Sequence, residues 1–205
     1  MATTDSAERS GKLSRARILE IALAHFAVHG YRGSSLAKIA AKAGISQPGL
    51  LHHFPTKAAL LMAVLADRDV QDLHATGTDP ETLSEMDFAE LIAFLIRIVR
   101  HNVQNRDLVQ LAHLTAAEAT GSEHPAREWV VGRQKFLQSL VESSLRRGIE
   151  AGSVRRDVDP RMTTFLLVAA VEGLENQWLV DDEVDMVGSF VHFAEQLQRA
   201  VAPTA

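Results

Sequence analysis

The residues with the most informative chemistry lie in one short stretch between Ser34 and Lys57. A glutamine amide in this stretch can pair with an adenine edge, and a proline side chain can meet a thymine methyl group. Hydroxyl, imidazole and ammonium groups, together with the unpaired amides at a helix start, can hold phosphate oxygens. The stretch therefore offers groups for both the bases and the backbone of DNA. The candidates are Ser35, Ser46, Gln47, Pro48, Gly49, His52, His53 and Lys57.

Two short helices, over about 36–43 and 47–53, are predicted to position these groups. Gly44 suits a tight turn with positive φ between them, and Ser46 suits the N-cap of the second helix. Leu50 points inward, which leaves the polar side of the second helix exposed. Two short helices joined by a glycine turn, with a supporting helix before them, form a helix-turn-helix pattern. The same spacing also fits a helical hairpin that merely packs.

The ends of these two helices carry further signals. Ser35 can cap the first helix. Ile45 and Leu50 stand at the two positions of a hydrophobic staple, which fixes the angle between the helices. Phe54-Pro55 ends the second helix, because the residue before a proline disfavours the helical conformation.

The composition favours an all-α fold and excludes several kinds of chemistry. The chain has 205 residues, of which 46% are apolar and 5% aromatic, and helix formers such as Ala, Leu, Glu and Arg dominate. It has no cysteine, which excludes disulfides, thiolate nucleophiles and cysteine-ligated zinc. No apolar stretch is long enough for a membrane span, and the N-terminus is not a signal peptide. We therefore expect a cytoplasmic protein with no membrane partner.

The charge is unevenly distributed along the chain. The net charge is −5, which argues against a general nucleic-acid binder. Residues 1–57, however, hold eight of the 21 basic residues and only three of the 26 acidic ones. A basic module on an acidic body fits a protein that docks phosphates with one end, although chance asymmetry of a solvated surface gives the same counts.

The hydrophobic periodicity predicts about nine helices, with boundaries that are uncertain by a few residues. Residues 1–12 lack periodicity and are expected to form a flexible arm. Residues 13–57 are expected to form a three-helix DNA-binding domain that holds the helix-turn-helix, and residues 58–205 a second helical domain. The predicted helices cover about 14–29, 36–43, 47–53, 57–73, 87–104, 107–119, 126–150, 160–180 and a last segment that begins in the acidic run 181–183.

A contiguous set of residues in the N-terminal part resembles the DNA-binding signature of TetR-type regulators. The matching residues are Gly30-Tyr31, Ser34-Ser35, Ile39-Ala40, Ala43-Gly44-Ile45-Ser46, Leu50, His52-His53-Phe54-Pro55, Lys57 and Leu60. The resemblance implies that Gln47 and Pro48 lie at base edges. It also implies that His53 and Lys57 contact the phosphate backbone.

Two positions depart from the pattern of that family. Leu51 stands where a tyrosine is usual, and it is kept as a candidate contact. Ala37 stands where a basic residue is common on the preceding helix. Its neighbour Lys38 is therefore the basic candidate at that end of the interface.

A second resemblance covers the C-terminal part. Residues 159–186, with Val171-Glu172-Gly173-Leu174 among them, are similar to the C-terminal half of some TetR-type regulators, in which the last two helices pair with their mates. The resemblance thus implies a homodimer through the last two helices. Phe165, Leu166 and Gly173 lie on a face that permits close helix approach, although such a face can also close a monomer core.

The resemblance also implies that the helices after the DNA-binding domain surround a small-molecule effector. Such a pocket needs apolar walls with few polar anchors. The candidates are polar or aromatic residues on otherwise apolar helices: His101, Gln104, His113, Glu118, Trp129, Phe136, Asn176, Gln177 and Trp178. The spacing of His113 and His124 does not suit a metal ion, and we expect neither a metal nor a cofactor.

The sequence therefore predicts a ligand-responsive repressor that binds palindromic operator DNA as a dimer and is released by a small molecule. The alternative is a DNA-binding regulator that has no effector or that acts as an activator. An enzyme is not expected, because the chain lacks a glycine-rich phosphate loop, a nucleophile elbow and a paired-histidine zinc motif.

Overall fold

The computed structural model describes the backbone of residues 2–121 and 123–203, and the side chains of these residues except 2–14, 72–76 and 80. All regular structure in this part is helical, which confirms the predicted all-α class. The helices are α1 (Ala2–Gly33), α2 (Leu36–Ala43), α3 (Gln47–His53), α4 (Lys57–Thr76), α5 (Pro80–Glu85), α6 (Phe88–Gln104), α7 (Arg106–Glu118), α8 (Arg127–Ala151), α9 (Pro160–Val180) and α10 (Met186–Val201).

Helix α5 falls between the predicted helices 57–73 and 87–104, in a segment for which the sequence analysis predicts no helix. Its N-cap Asp79 accepts a hydrogen bond from the Thr82 amide at 2.8 Å, and Pro80 occupies the first turn. The same combination of a capping aspartate and a proline stands at the start of α9, where Asp159 precedes Pro160. A capping aspartate followed by a proline starts a helix in both places. Gly77, which has a positive φ, follows the end of α4 and precedes the start of α5.

Helix α1 is longer at both ends than its predicted span of about 14–29. Its backbone is helical from Ala2, across the residues for which the sequence predicts a flexible arm. At its other end Gly30 interrupts the helix with φ +65° and ψ 179°, and one further turn follows as far as Gly33. Gly30 thus bends the helix, and the helix ends only at Gly33.

The chain forms two compact units that divide it differently from the predicted domains. The first unit holds the residues up to Val70 together with 107–130, and the second holds 71–106 together with 131–205. The predicted boundary at 57/58 concerns function and stays a prediction. The apolar core of the first unit consists of Ile18, Leu19, Ala22, Phe26, Ala27, Ile39, Ala40, Ala43, Leu50, Phe54, Leu60, Leu61, Val64, Leu65, Leu111 and Ala126.

In the second unit α10 packs on α6 and α9. Asp87 and Glu90 form a capping box at the start of α6, with hydrogen bonds of 2.8 and 2.9 Å. The last helix begins later than the acidic run suggests, at Met186, because Asp185 is the residue that caps it through the Gly188 amide at 2.8 Å.

Within the described residues no single helix has both the length and the hydropathy of a membrane span. Only α3 taken together with the first part of α4 reaches that composition, and this pair is bent by 57°.

Candidate nucleic-acid interface

The turn between α2 and α3 is fixed by backbone hydrogen bonds. Gly44 has φ 72° and ψ 26°, the left-handed conformation that ends many helices. Its amide donates to the Ala41 carbonyl at 3.1 Å, and the Ile45 amide donates to the Ala40 carbonyl at 3.0 Å. These two bonds are the pair that defines a Schellman motif. Because the turn is closed in this way, the direction of α3 follows from that of α2.

The start of α3 is capped and stapled as the sequence predicts. Ser46 is the N-cap, and its hydroxyl accepts from the Gly49 amide at 3.2 Å. A β-carbon at position 49 would lie 3.2 Å from the same hydroxyl, so the glycine leaves room for the cap. Leu50 is fully buried in the core of the first unit, and the half-buried Ile45 packs against that core. The helix is thus held by its cap and by one apolar anchor.

The outward side of α3 carries the predicted base-reading residues. Gln47, Pro48 and His52 are exposed, whereas Leu50 on the opposite side is buried. Gly49, Leu51 and His53 are half-buried along the flanks. Phe54 is buried and ends the helix with extended backbone. A short helix with one polar side open and one side anchored has the shape that a major groove accepts.

The start of α2 differs from the prediction in one respect. Ser35 occupies the N-cap position, but its side chain makes no capping hydrogen bond. The expected capping role of its hydroxyl is therefore wrong, while its candidacy as a phosphate contact stays a prediction. Lys38 is exposed on the same helix, next to the exposed Ala37.

Lys57, at the start of α4, is already engaged within the protein. Its ammonium donates to the Ser34 carbonyl at 3.0 Å and lies 4.5 Å from the centroid of the Tyr31 ring. An ammonium has three donors, so one bond to a carbonyl leaves capacity for a phosphate oxygen. Thr56 caps the helix, because its hydroxyl accepts from the Ala59 amide at 2.9 Å.

Two basic residues that the motif did not select also lie on this unit. The Arg15 guanidinium lies 5.2 Å from the centroid of the Phe54 ring, beside the end of α3, and its side chain is exposed. Lys42 is exposed on α2. Both residues contribute to the basic excess of residues 1–57, which was the signal that could have identified them.

Three of the predicted effector-binding residues lie in the first unit. Trp129 donates from its ring nitrogen to Asp69 at 2.9 Å. The Glu118 carboxylate accepts from the Tyr31 amide at 2.8 Å, and His113 is half-buried on α7. Glu118 therefore already has a protein partner, which the sequence did not reveal.

The other predicted effector-binding residues lie in the second unit. Trp178 is buried, and the Arg106 guanidinium lies 4.8 Å from its ring centroid. His101 is half-buried on α6, where its carbonyl accepts from the Asn105 amide group at 2.9 Å. The remaining members of this set are exposed: Gln104, Phe136, Asn176 and Gln177.

A groove of about 340 Å³ in the second unit is lined by residues that the sequence did not select: Lys135, Gln138, Ser139, Glu142, Ser143 and Arg146. Among the residues whose side chains are described, no group of three His, Asp or Glu side chains is arranged to hold a metal ion.

One side of α9 exposes large apolar residues. Met162 is 50% exposed, Phe165 41% and Leu166 68%. Ala169 follows at the next helical turn on the same side and is also exposed. Asn176 and Gln177 are exposed further along the helix, whereas Trp178 is buried. An exposed apolar stripe of this kind is typical of a surface that binds another protein.

Two family models match the chain. The model described as "Bacterial regulatory proteins, tetR family" matches residues 18–64, which include all of α2 and α3. The model described as "Tetracyclin repressor-like, C-terminal domain" matches residues 110–192. Together the two models match more than half of the chain.

Known proteins with similar sequences and structures agree with these matches. The HTH-type transcriptional regulator RutR of Escherichia coli K12 is 28% identical over 170 residues, which cover 83% of this chain and 77% of RutR. A TetR transcriptional regulator from Chloroflexus aurantiacus has a TM-score of 0.78 at 22% identity, covering 96% of this chain and 100% of its own. SmeT, the repressor of a Stenotrophomonas maltophilia multidrug efflux pump, in complex with triclosan, has a TM-score of 0.77 at 22% identity, with coverage of 94% and 93%.

Proposed function

Since the chain belongs to the TetR family of bacterial regulatory proteins, we propose that it is a repressor that binds palindromic operator DNA as a homodimer and is released by a small molecule. It is a transcriptional regulator with a DNA-binding helix-turn-helix. The observation that carries the proposal is the exposed side of α3, where Gln47, Pro48 and His52 stand on a helix fixed by its cap and its turn.

Each group on this side has a definite task on DNA. The Gln47 amide pairs with adenine through one donor and one acceptor, and Pro48 meets a thymine methyl group. Ser35, Lys38, His53 and Lys57 hold phosphates on either side of the groove, which fixes the register without reading sequence. Arg15 joins this phosphate set on the strength of its exposed position beside the end of α3.

The dimer is supported by the exposed apolar side of α9. Leu166 and Phe165 are large side chains that a monomer leaves in water, and Ala169 beside them permits a second helix to approach closely. The occupant we propose is a second copy of this chain, because a helix-turn-helix reads a palindrome as a two-fold pair. The two recognition helices must then lie about 34–36 Å apart, one turn of the DNA helix.

The effector is supported by the solved complex of triclosan with SmeT, a protein of the same fold. Among the candidate residues, Trp178 in the second unit is buried, and Trp129 in the first unit is partly buried and packs against the apolar core. An effector that prefers the released state by a coupling of about 1–3 kcal/mol weakens operator binding about 5–150-fold. A screen of small molecules for a shift in the melting temperature of the full chain tests this step. If no molecule shifts it, the effector-free alternative is favoured.

The DNA-binding step is tested by selecting duplexes from a random library with the full chain. We expect the selected duplexes to share a palindromic site. The dissociation constant for this site is then measured by fluorescence anisotropy at one fixed salt concentration. Gln47→Ala should lower the preference at one base pair of each half-site by about 1–3 kcal/mol and leave the others unchanged.

The control is Gln134→Ala, which removes the same side chain from an exposed position on α8. It should leave both affinity and base preference unchanged. A Gln47→Ala protein with the base preferences of the parent chain would refute α3 as the reading helix, and a parent chain that selects no duplex would refute the proposed function.

A further inference from the structure

A carboxylate at the end of α7 holds the turn that follows the break in α1. The Tyr31 amide donates to Glu118 Oε2 at 2.8 Å, and the Arg32 amide lies 3.4 Å from Glu118 Oε1. These two amides begin the last turn before α2, directly after the left-handed Gly30. Amides at a helical start have no partner within their own turn, so a carboxylate there satisfies them and complements their dipoles. Glu118 therefore acts as a cap supplied from a distant part of the sequence.

His124 orients that carboxylate. Its Nδ1 accepts a hydrogen bond from the Ala126 amide at 3.2 Å, so Nδ1 carries no proton and Nε2 must carry it. Nε2 lies 3.4 Å from Glu118 Oε2. The His124 side chain is 1% exposed and that of Glu118 is 17% exposed, so water has little access to the pair. The imidazole thus lies against the carboxylate at ion-pair distance, without a hydrogen bond from Nε2 to Glu118, and limits the rotation of the carboxylate away from the Tyr31 amide.

The same turn is held on its other side by the start of α4. The Ser34 hydroxyl donates to the Gly30 carbonyl at 2.6 Å, which closes the turn. The Lys57 ammonium binds the Ser34 carbonyl and lies over the Tyr31 ring. The centroid of the Tyr31 ring is in turn 5.2 Å from that of the His124 ring. Residues 30–34 are therefore clamped between Glu118 and Lys57, and Ser35 at the N-cap of α2 follows directly.

From this clamp we infer that Glu118, oriented by His124, is a positioning residue for DNA binding. The inference rests on the proposed function of α3. Because the α2–α3 turn is closed by its own hydrogen bonds, the direction in which α2 starts sets where α3 meets the groove. Base contacts depend on the hydrogen-bond geometry, whereas phosphate contacts tolerate a shift more easily. Loss of the clamp should therefore reduce sequence discrimination more than general affinity.

The negative charge of Glu118 allows its positioning effect on DNA binding to be distinguished from a purely electrostatic effect. Removing a negative charge from a DNA-binding unit strengthens binding to a polyanion. Loss of positioning weakens binding to the specific site. In Glu118→Gln one carboxylate oxygen becomes an NH₂ group. At the position of Oε1 this donor opposes the Arg32 amide, and at the position of Oε2 it opposes both the Tyr31 amide and His124 Nε2. Positioning and electrostatics thus predict changes of opposite sign in the affinity for the selected duplex.

The test measures the full-length chain on its selected duplex and on a scrambled duplex of the same composition. Glu118→Gln should bind the selected duplex about tenfold more weakly and the scrambled duplex with nearly parental affinity. A variant that is merely less stable would have a smaller folded fraction, which lowers both affinities by the same factor. Thermal denaturation followed by circular dichroism fixes a temperature at which every variant is folded.

His124→Asn is the second variant. An asparagine can keep the bond to the Ala126 amide but has no donor at the position of Nε2. It should lose discrimination in the same direction as Glu118→Gln, and the double variant should lose less than the sum of the two changes, because both act through one contact. If Glu118→Gln does not fold, this variant decides.

Glu123→Gln is the matched control, because it removes the same charge from an exposed position in the loop between α7 and α8, next to His124. It should bind both duplexes as tightly as the parent chain or slightly more tightly. Folded Glu118→Gln and His124→Asn proteins with the discrimination of the parent would overturn the inference. That result leaves the proposed function intact, whereas a parent chain that selects no duplex refutes the function itself.

Discussion

At the scale of single residues, two independent constraints require glycine at position 30. Its φ of +65° is a conformation that residues with a β-carbon rarely adopt. A β-carbon there would also lie 2.6 Å from Glu118 Oε1, closer than non-bonded atoms approach. The break in α1 and the carboxylate that caps the following turn therefore require the same small residue.

His25 is a second residue whose surroundings have a measurable consequence. It is 3% exposed, and neither of its ring nitrogens has a hydrogen-bond partner among the described residues. Burial lowers the pKa of His25 below its ordinary value of 6.5, and the nearby charges of His29, Lys42 and Lys38 lower this pKa further. The folded state therefore favours the neutral ring.

The sign of the resulting pH dependence follows from proton binding. Between the lowered pKa of the folded state and 6.5 the unfolded chain binds more protons than the folded one, so the free energy of unfolding rises with pH in that window. The contribution of His25 is complete above 6.5. This contribution to the free energy of unfolding is lost as the pH falls from 6.5 through the pKa of the folded state. Below that pKa the contribution no longer changes with pH.

We expect His25→Leu to remove this dependence. Because it also removes a buried polar ring without partners, it should raise the free energy of unfolding at about pH 8 by about 1 kcal/mol. Urea denaturation from about pH 8 to about pH 5 should show the gain over the parent chain widening as the pH falls. His192→Leu, at an exposed position on α10, is the control and should leave the pH profile unchanged. A gain that does not vary with pH would contradict the assignment.

At the scale of the helices, the starts of α2 and α3 differ in whether a serine side chain caps the helix. Ser46 caps α3 through the Gly49 amide, whereas Ser35 stands at the start of α2 without a side-chain cap. The same residue type at two neighbouring helix starts thus has two different roles.

Alanine at each position should separate these roles. Ser46→Ala should lower the free energy of unfolding by about 1 kcal/mol, the usual cost of a lost serine cap. Ser35→Ala should leave the free energy of unfolding unchanged and weaken binding to every duplex, since its hydroxyl is proposed to hold a phosphate. Chemical denaturation and fluorescence anisotropy measure the two effects. Equal loss of stability in both variants would show that Ser35 caps after all.

At the scale of the whole molecule, the exposed apolar side of α9 predicts the oligomeric state. Leu166→Glu places a charge in the centre of the proposed interface, where burial without a partner is costly. In sedimentation equilibrium the parent chain should have twice the mass of the 22.4 kDa chain, and the variant should have the mass of one chain. Its affinity for the palindromic duplex should fall about 100-fold, because the two half-sites are no longer linked.

Val28→Glu controls for the added charge. Val28 is 63% exposed on α1, away from α9 in the sequence and in the other compact unit. This variant should keep the mass of the parent chain. If Leu166→Glu also keeps that mass, the proposed interface is refuted.

The sequence by itself determined the all-α class, the helix-turn-helix and nearly all of its caps. These features are local: Gly44 and Ser46 act on amides within a few residues of themselves, and Leu50 is identified as inward by the helical period. Where a local signal was overlooked, as with Asp79-Pro80 at α5, it was nevertheless present in the sequence.

Only the tertiary structure decided the partners of groups that are far apart in the sequence. Glu118 was predicted to bind an effector, yet its carboxylate holds the Tyr31 amide, 87 positions away, and the Lys57 ammonium lies on Ser34 and Tyr31. A helical period gives the side of a helix on which a residue lies. It does not give the surface that packs against that side, because this depends on how the helices fold together.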